Sequence, residues 1–210
     1  MATEIPSRFE DIRKIFDHLP GPDLGAASLV AQREAQLTKP AGSLGRLEEI
    51  TSWMAKWQGS ATPRADHPRV AVFAANHGVC DQGVSAFPQA VTAQMVANFV
   101  NQGAAVNQLC ALVDADLRVF EMQLEQPTKD FSLEPVMSEE ECAHAIAYGM
   151  MAVDEEIDLL CLGEMGIGNT TSAAALALSL FGGTAADWTG AGTGVAGSDL
   201  QRKTDVVQRS

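Results

Sequence analysis

The pattern of apolar and polar positions changes near residue 60. Before that point apolar residues recur at steps of three and four, the spacing of one face of an α-helix. The clearest stripe predicts a helical face used for packing, and its members are Leu44, Leu47, Ile50, Met54 and Trp57. A segment rich in Gly, Pro and polar residues follows at 59–68 and marks a subdomain boundary. We therefore predict a small helical subdomain over 1–60 and a second unit over 69–210.

Short apolar runs alternate with helical segments in the second unit. The runs with the length of β-strands are RVAVFAA at 69–75, a segment at about 117–124 and IDLLCLG at 157–163. The first is almost continuously apolar, as expected of a strand covered on both faces. A helical stretch lies at about 91–113, and Gly103 is the point where it can be interrupted. Another helix begins after Ser138, because Ser138 and Glu141 have the spacing of a capping box.

The order strand, helix, strand, helix, strand is typical of a parallel sheet. The predicted fold class is α/β, a Rossmann-like three-layer parallel sheet with an amino-terminal helical small subdomain. Because three clear strands are few for such a sheet, we expect it to be incomplete at the carboxyl terminus. Ligands of these sheets bind outside the carboxyl ends of the strands. The turns after the first and third strands, 76–95 and 163–182, are therefore the places to seek chemistry.

Composition narrows the class of partner. The net charge of −13 and the pI of about 4.6 argue against nucleic acid, which calls for a basic surface. The longest apolar runs are far shorter than the roughly 20 residues that cross a membrane. Four scattered cysteines indicate reduced thiols, and the first 20 residues lack the features of a signal peptide. We predict a cytoplasmic protein that binds neither nucleic acid nor membrane.

The turn after the third strand carries the strongest chemical signal. This turn contains Gly163, Gly166 and Gly168. Because glycine has no side chain, these residues allow a tight turn and a close approach of the backbone to a ligand. Asn169 and Thr170 then open an alanine-rich helix, whose first amides attract anions. A phosphate site is one interpretation, and a tight connection without a ligand is the other. Glu164 lies inside this turn, where it either faces a sugar hydroxyl or a developing cation, or is solvated or caps the helix.

A second glycine-rich segment, GAGTGVAG at 190–197, matches G-x-G-x-x-G literally. No buried strand precedes it, so we interpret it as a loop beside the phosphate site rather than a dinucleotide fingerprint. Lys203 follows and either reaches a phosphate as a point charge or is a solvated surface lysine. Two residue pairs have metal-ligand chemistry but are too few for a zinc set, and they are His77 with Cys80 and Cys142 with His144. No metal and no cofactor are predicted.

Three motifs in order resemble one enzyme family. They are KPAGSLGRLEEI at 39–50, NHGVCDQGVSAFPQAVTAQMVANF at 76–99 and GEMGIGNTTSAAAL at 163–176. The family they resemble is nicotinate-nucleotide:dimethylbenzimidazole phosphoribosyltransferase, and the likeness extends to KTDVV at 203–207. It implies transfer of phosphoribose from nicotinate mononucleotide to 5,6-dimethylbenzimidazole, which gives α-ribazole 5′-phosphate and nicotinate for cobalamin assembly. It also implies a homodimer whose protomers have a Rossmann-like large domain and a small helical domain.

The resemblance assigns roles to individual residues. Glu164 and Gly166 are implied to lie beside the ribose phosphate, with Asn169 and Thr170 nearby. Lys203 matches a lysine of the family's phosphate site. The loop that lines the pocket for the aromatic base carries two departures, Phe87 and Met95, where better-known relatives have Ser and Gln. Both make that pocket more apolar, so the accepted benzimidazole or purine is left open.

Family members continue past the last aligned segment, and the glutamate usually assigned as general base lies in that part. We therefore expect the base beyond Ser210, and a chain that is truncated and inactive by itself. Two alternatives stay open. One is a catalytically inactive nucleotide-fold domain with an interaction role, and the other is a dinucleotide-binding oxidoreductase, which nicotinamide-cofactor binding would favour.

Overall fold

The computed structural model describes residues 6–210. The α-helices in that range are α1 (Phe9–Phe16), α2 (Leu24–Glu34), α3 (Arg46–Gln58), α4 (Val91–Val100), α5 (Ala105–Val113), α6 (Glu139–Met150), α7 (Asn169–Phe181), α8 (Ala185–Trp188) and α9 (Gly197–Gln208). The strands are β1 (Pro68–Ala74), β2 (Asp116–Glu121) and β3 (Leu159–Met165), and a 3₁₀ turn spans Gly78–Gln82. None of the described helices has both the length and the apolar character needed to cross a membrane.

The three strands form a parallel sheet in the order β2-β1-β3. Helices α4 and α5 cover one face, where Val72 of β1 packs with Phe99 and Ala104. Helix α6 covers the other face, where Tyr148 makes an edge contact with Phe120 of β2, with ring centroids 6.0 Å apart. The sheet thus lies between two helical layers, which confirms the predicted α/β class.

The strand order places a topological switch point at β1. β1 is central, with its sequence successor β2 on one side and β3 on the other. The direction of strand succession therefore reverses at β1, and ligands of open α/β sheets bind at such a point, outside the carboxyl ends of the strands. The turns that leave β1 and β3 meet there.

The strand and helix limits differ from the predicted ones in informative ways. β2 ends at Glu121 rather than near 124, because Gln123 adopts a positive φ of 53°. β3 begins two residues later than predicted, since the Asp158 carboxylate accepts hydrogen bonds from the backbone amides of Asp66 and His67. β3 also ends at Met165 rather than at 163, so Glu164 lies on the strand and not in the turn.

The predicted helix limits agree more closely with the structure than the predicted strand limits do. The stretch at 91–113 is divided into α4 and α5 near Gly103, where Gln102 has a φ of 58°. The capping box at the start of α6 is confirmed: the Ser138 hydroxyl accepts from the Glu141 amide at 3.2 Å, and the Glu141 carboxylate accepts from the Ser138 amide at 2.6 Å.

The apolar stripe on α3 is not, within residues 6–210 of this chain, the packing face that the sequence predicts. Leu47 is 59% exposed and Trp57 is 57% exposed, and of the five members only Met54 is half-buried. The contact between α2 and α3 uses small residues instead, with Ala55 packed against Ala26 and Val30. The division at residue 60 stays a prediction, and α1 contacts α6 of the sheet unit, where the Glu139 carboxylate accepts from the Phe9 amide at 2.8 Å.

Candidate functional site

The turn after β3 packs directly against the turn after β1. A Cβ added to Gly166 would clash with the Ala75 carbonyl oxygen and lie 3.0 Å from His77 Nε2. Gly168 has a φ of +91°, and a Cβ there would lie 2.7 Å from Cys80 Sγ. The absence of a side chain at these two glycines thus admits the neighbouring turn, and their approach to a ligand stays a prediction. Gly163 lies within β3 and has no role in the turn.

Polar contacts join the same two turns. The Cys80 thiol donates to the Ile167 carbonyl oxygen at 2.8 Å, and burial raises the pKa of that thiol to about 11. The Ile167 amide donates to the buried hydroxyl of Thr92 on α4 at 3.1 Å. His77 Nδ1 lies 3.3 Å from the Ser172 hydroxyl in the first turn of α7. The pair of His77 and Cys80 therefore serves packing between the turns.

Lys203 places a buried ammonium at the start of α7. Its residue is 1% exposed although it lies on α9, near the end of the chain. The ammonium donates to the Thr170 hydroxyl at 2.8 Å and to the Gly190 carbonyl oxygen at 2.9 Å. Neither partner carries a negative charge, and desolvation lowers the pKa of Lys203 below its ordinary value of 10.5. A buried charge of this kind is costly unless an anion compensates it.

The first residues of α7 and the end of β3 form one polar cluster with Lys203. The Asn169 side-chain amide donates to the Glu164 carboxylate, and its oxygen accepts from the Thr170 amide at 2.7 Å. Thr171 is fully buried in the same turn of α7, and its hydroxyl has no hydrogen-bond partner within the described range of 6–210. The structure thus brings Glu164, Asn169, Thr170 and Lys203 together, as the sequence suggested.

The two predicted base-contacting residues have different surroundings. Phe87 is 53% exposed, in the loop between the 3₁₀ turn and α4. Met95 is half-buried on α4 and packs against the core cluster that contains Val72 and Phe99. Phe87 therefore offers a free aromatic face, and Met95 is at least partly committed to the core.

Sequence reasoning missed a contact between the Phe87 loop and the 190–197 loop. The hydroxyls of Ser85 and Thr193 lie 2.8 Å apart, and Thr193 Oγ1 accepts from the Ala86 amide at 3.1 Å. Ser and Thr in loops give no sequence signal of which partner they will meet. The contact is seen only once the two loops are placed.

Two surface clefts lie away from this cluster. One, of about 640 Å³, contains Trp53, Trp57 and Asp158 and lies at the amino end of β3. The other, of about 420 Å³, lies between α4 and the segment after β2, with Glu121 and Glu125 in its lining. The first cleft contains Arg64, but that guanidinium is exposed and paired with Asp66 at 3.3 Å, and the lining of the second contains neither Lys nor Arg. The buried ammonium of Lys203 is therefore the better candidate for binding an anion.

His77 makes stability depend on pH in a predictable direction. Burial lowers the pKa of His77, and the Glu164 carboxylate opposes that shift only in part. A histidine whose folded pKa is depressed stabilises the fold above its ordinary value of 6.5, and the benefit is lost as pH falls below that value. We expect wild type to lose more unfolding free energy than His77→Asn between pH 8 and pH 5. Urea denaturation at the two pH values measures this difference.

The matched control for that measurement is His144→Asn, since His144 is exposed on α6. This control should follow the wild-type pH dependence. Equal losses for wild type and His77→Asn would show that His77 is not held in its neutral form.

Comparisons with known proteins agree on one family. A family model described as Phosphoribosyltransferase matches residues 19–210. Nicotinate-nucleotide–dimethylbenzimidazole phosphoribosyltransferase of Brucella anthropi is 56% identical over 202 residues, which make up 96% of this chain and 60% of that protein. The protein of the same name from Brucella canis has the same identity and coverage. The solved structure of CobT from Thermus thermophilus superposes with a TM-score of 0.82 at 38% identity, covering 88% of this chain and 61% of that chain.

The likeness extends over nearly all of this chain but only part of each relative. The chain spans about three fifths of the length of the curated relatives it matches. The two motif-bearing turns and the lysine on α9 all fall inside the matched range of 19–210.

Proposed function

Because this chain belongs to the phosphoribosyltransferase family and is 56% identical to a nicotinate-nucleotide–dimethylbenzimidazole phosphoribosyltransferase, we propose that it binds nicotinate mononucleotide and serves the transfer of its phosphoribosyl group to a benzimidazole. The products are α-ribazole 5′-phosphate and nicotinate. One observation carries the proposal: among residues 6–210, the hydrogen-bond partners of the buried Lys203 ammonium are all neutral, and they lie beside the glycine-rich turn that opens α7. A phosphate monoester supplies the charge that would compensate it.

The roles in the reaction follow from the surroundings of each group. The Thr170 hydroxyl and Lys203 bind phosphate oxygens, and the dipole of α7 adds to the attraction. The carboxylate of Glu164, exposed and bonded to Asn169, faces the ribose hydroxyls or the cationic character that develops at the anomeric carbon. The acceptor nitrogen attacks from the face opposite the departing nicotinate, which inverts the anomeric centre. The general base that takes the ring proton stays a prediction outside the described residues.

Phe87 supplies the surface for the aromatic base. It is an exposed ring on the turn after β1, and Pro88 follows it. The ring lies at the same edge of the sheet as the cluster that we call the phosphate cluster, which consists of Glu164, Asn169, Thr170 and Lys203. Aromatic rings stack on exposed aromatic side chains with a gain of about 0.5–1.5 kcal/mol beyond the area they bury. Met95 lies on the adjoining helix and bounds the apolar end of this surface.

We also propose that the protein works as a cytoplasmic homodimer with small molecules as its substrates. The exposed apolar face of α3, which includes Leu47, Trp53 and Trp57, supports a subunit interface, since large apolar patches on a surface mark interaction sites. The cysteines in the described residues are free thiols, which supports a reducing compartment.

Binding measurements test the phosphate site. We expect nicotinate mononucleotide to bind at least about 10-fold more tightly than nicotinate riboside, because a charge-assisted hydrogen bond contributes about 1.5–3 kcal/mol. Titration calorimetry at constant ionic strength measures both affinities, with NAD as the control ligand. Tight binding of NAD without binding of the mononucleotide would favour a dinucleotide enzyme and contradict the proposal.

A transfer assay separates an enzyme from an inactive nucleotide-fold domain. The readout is formation of α-ribazole phosphate from nicotinate mononucleotide and 5,6-dimethylbenzimidazole. Turnover that Glu164→Gln abolishes would make Glu164 a candidate for the general base. Mononucleotide binding without turnover, even in the presence of a polypeptide covering the rest of a Brucella relative, would favour the inactive domain.

A further inference from the structure

A hydroxyl on the 190–197 loop reaches the loop that carries Phe87. Thr193 is half-buried, and its Oγ1 both contacts the Ser85 hydroxyl at 2.8 Å and accepts from the Ala86 amide at 3.1 Å. The Ser85 hydroxyl in turn accepts from the amide of Phe87 itself at 3.2 Å. One threonine therefore contacts the backbone next to the aromatic ring and the hydroxyl that bonds to the Phe87 amide.

The other end of the same loop lies on the phosphate cluster. The Gly190 carbonyl oxygen accepts from Lys203 Nζ at 2.9 Å. Gly192 has a φ of +55°, and a Cβ there would lie 2.8 Å from Lys203 Nζ and 2.7 Å from the Thr170 hydroxyl. An anion that binds the ammonium must share it with Gly190 and lie against Gly192. A phosphate bound there would therefore contact the loop at Gly190 and Gly192, and would act on Thr193 only through the loop.

The segment between those two contacts is a closed turn. The amides of Gly194 and Val195 both donate to the Ala191 carbonyl oxygen at 3.0 Å, which closes a tight turn around Thr193. Val195 is 4% exposed and anchors the turn in the protein. A displacement at Gly192 is thus transmitted to Thr193 rather than absorbed between them. A second tether, from the Arg202 guanidinium to the Gly83 carbonyl oxygen at 3.1 Å, holds the start of the Phe87 loop.

We propose that Thr193 is a positioning residue that couples the two halves of the site. Occupation of the phosphate cluster fixes the 190–194 turn, and Thr193 then holds the Phe87 loop in the form that stacks on the aromatic base. Phosphate and base therefore bind with positive cooperativity, and each ligand strengthens the other by the same factor. This inference rests on the proposed function, because it takes the phosphate and base sites as given there.

The experiment compares base affinity with and without phosphate. Calorimetry gives the Kd of 5,6-dimethylbenzimidazole in the absence of phosphate and at saturating inorganic phosphate, at matched ionic strength. We expect wild type to bind the base about 5-fold more tightly with phosphate present, the lower end of usual coupling between sites. Thr193→Val keeps the shape and removes the hydroxyl, so its ratio should fall to about 1. Thr193→Ser keeps the hydroxyl and should retain the coupling.

Each outcome decides between the two claims. Absence of phosphate binding in wild type would remove the proposed function and this inference with it. Independent binding of phosphate and base in wild type, or undetectable base binding with phosphate present, would overturn only the coupling. A ratio that Thr193→Val leaves unchanged would remove Thr193 from it. Thermal unfolding checks that the variants fold. If Thr193→Val does not fold, Ser85→Ala removes the hydroxyl contact from the opposite loop.

Discussion

Lys203→Met should weaken binding of nicotinate mononucleotide by about 100-fold, the effect of losing a buried charge contact of roughly 2–5 kcal/mol. The same change should leave the fold as stable as before or raise its stability by about 1–3 kcal/mol, because Met fills the space of the aliphatic stem without burying a charge. The two neutral partners lose little, since Thr170 and Gly190 are exposed and water can replace the ammonium. Affinity and stability should thus change in opposite directions.

Calorimetry and urea denaturation measure the two effects. Lys129→Met is the matched control, because Lys129 is an exposed lysine paired with Glu134 at 2.8 Å, outside the cluster. It should change neither quantity appreciably. The stability gain from Lys203→Met should shrink as pH rises toward 10.5, since the depressed pKa means that the penalty on the charged form is relieved there. A Lys203→Met protein that is less stable and binds the mononucleotide normally would make Lys203 a structural residue only.

Gly166→Ala should cost about 3 kcal/mol or more of unfolding free energy and remove ligand binding as a consequence, at the upper end of what overpacking costs. The added Cβ meets the Ala75 carbonyl oxygen, which belongs to the backbone and cannot move aside. The Ala75 amide already donates a hydrogen bond to the Met165 carbonyl oxygen at 3.0 Å, so the ends of β1 and β3 are held together at this point. Relief requires separation of the turns that follow β1 and β3.

Gly190→Ala is the control for that variant, because it lies in the same site and a Cβ there meets no atom within 4 Å. It should fold normally and keep its affinity. Chemical denaturation gives the stabilities, and titration with mononucleotide and riboside gives the binding. If Gly166→Ala folds normally and loses affinity for the mononucleotide alone, then the glycine serves ligand approach, as the sequence first suggested.

The sheet and the turn that opens α7 were accessible from sequence because they depend on local signals. β1 is a continuous apolar run, and α6 begins at a capping box whose spacing is readable in one dimension. The end of β3 was misplaced because the strand does not stop at its first glycine: Gly163 continues the pairing with Val72. A glycine in a strand and a glycine in a turn look alike until the neighbouring strand is known.

Burial of charge and contacts between loops could not be predicted in the same way. Lys203 reads as a surface lysine on a polar helix, and only the packing of α9 against α7 makes it 1% exposed. The exposure of the apolar stripe on α3 could not be predicted either, since periodicity identifies an apolar face without saying what covers it. The contact between Ser85 and Thr193 spans 108 residues and depends on positive φ angles at Gly192 and Gly194.

The central position of β1 also determines when the site can form during folding. Val72 pairs with Val119, 47 residues away, and with Gly163, 91 residues away. Closing the longer loop costs more chain entropy, so docking of β3 follows that of β2 in the least costly order of assembly. The contact of His77 with Ser172 spans 95 residues and requires β3 in place. The cluster around Lys203 is therefore among the last features to assemble, and we expect the phosphate ligand proposed for it to bind the folded chain and not earlier folding intermediates.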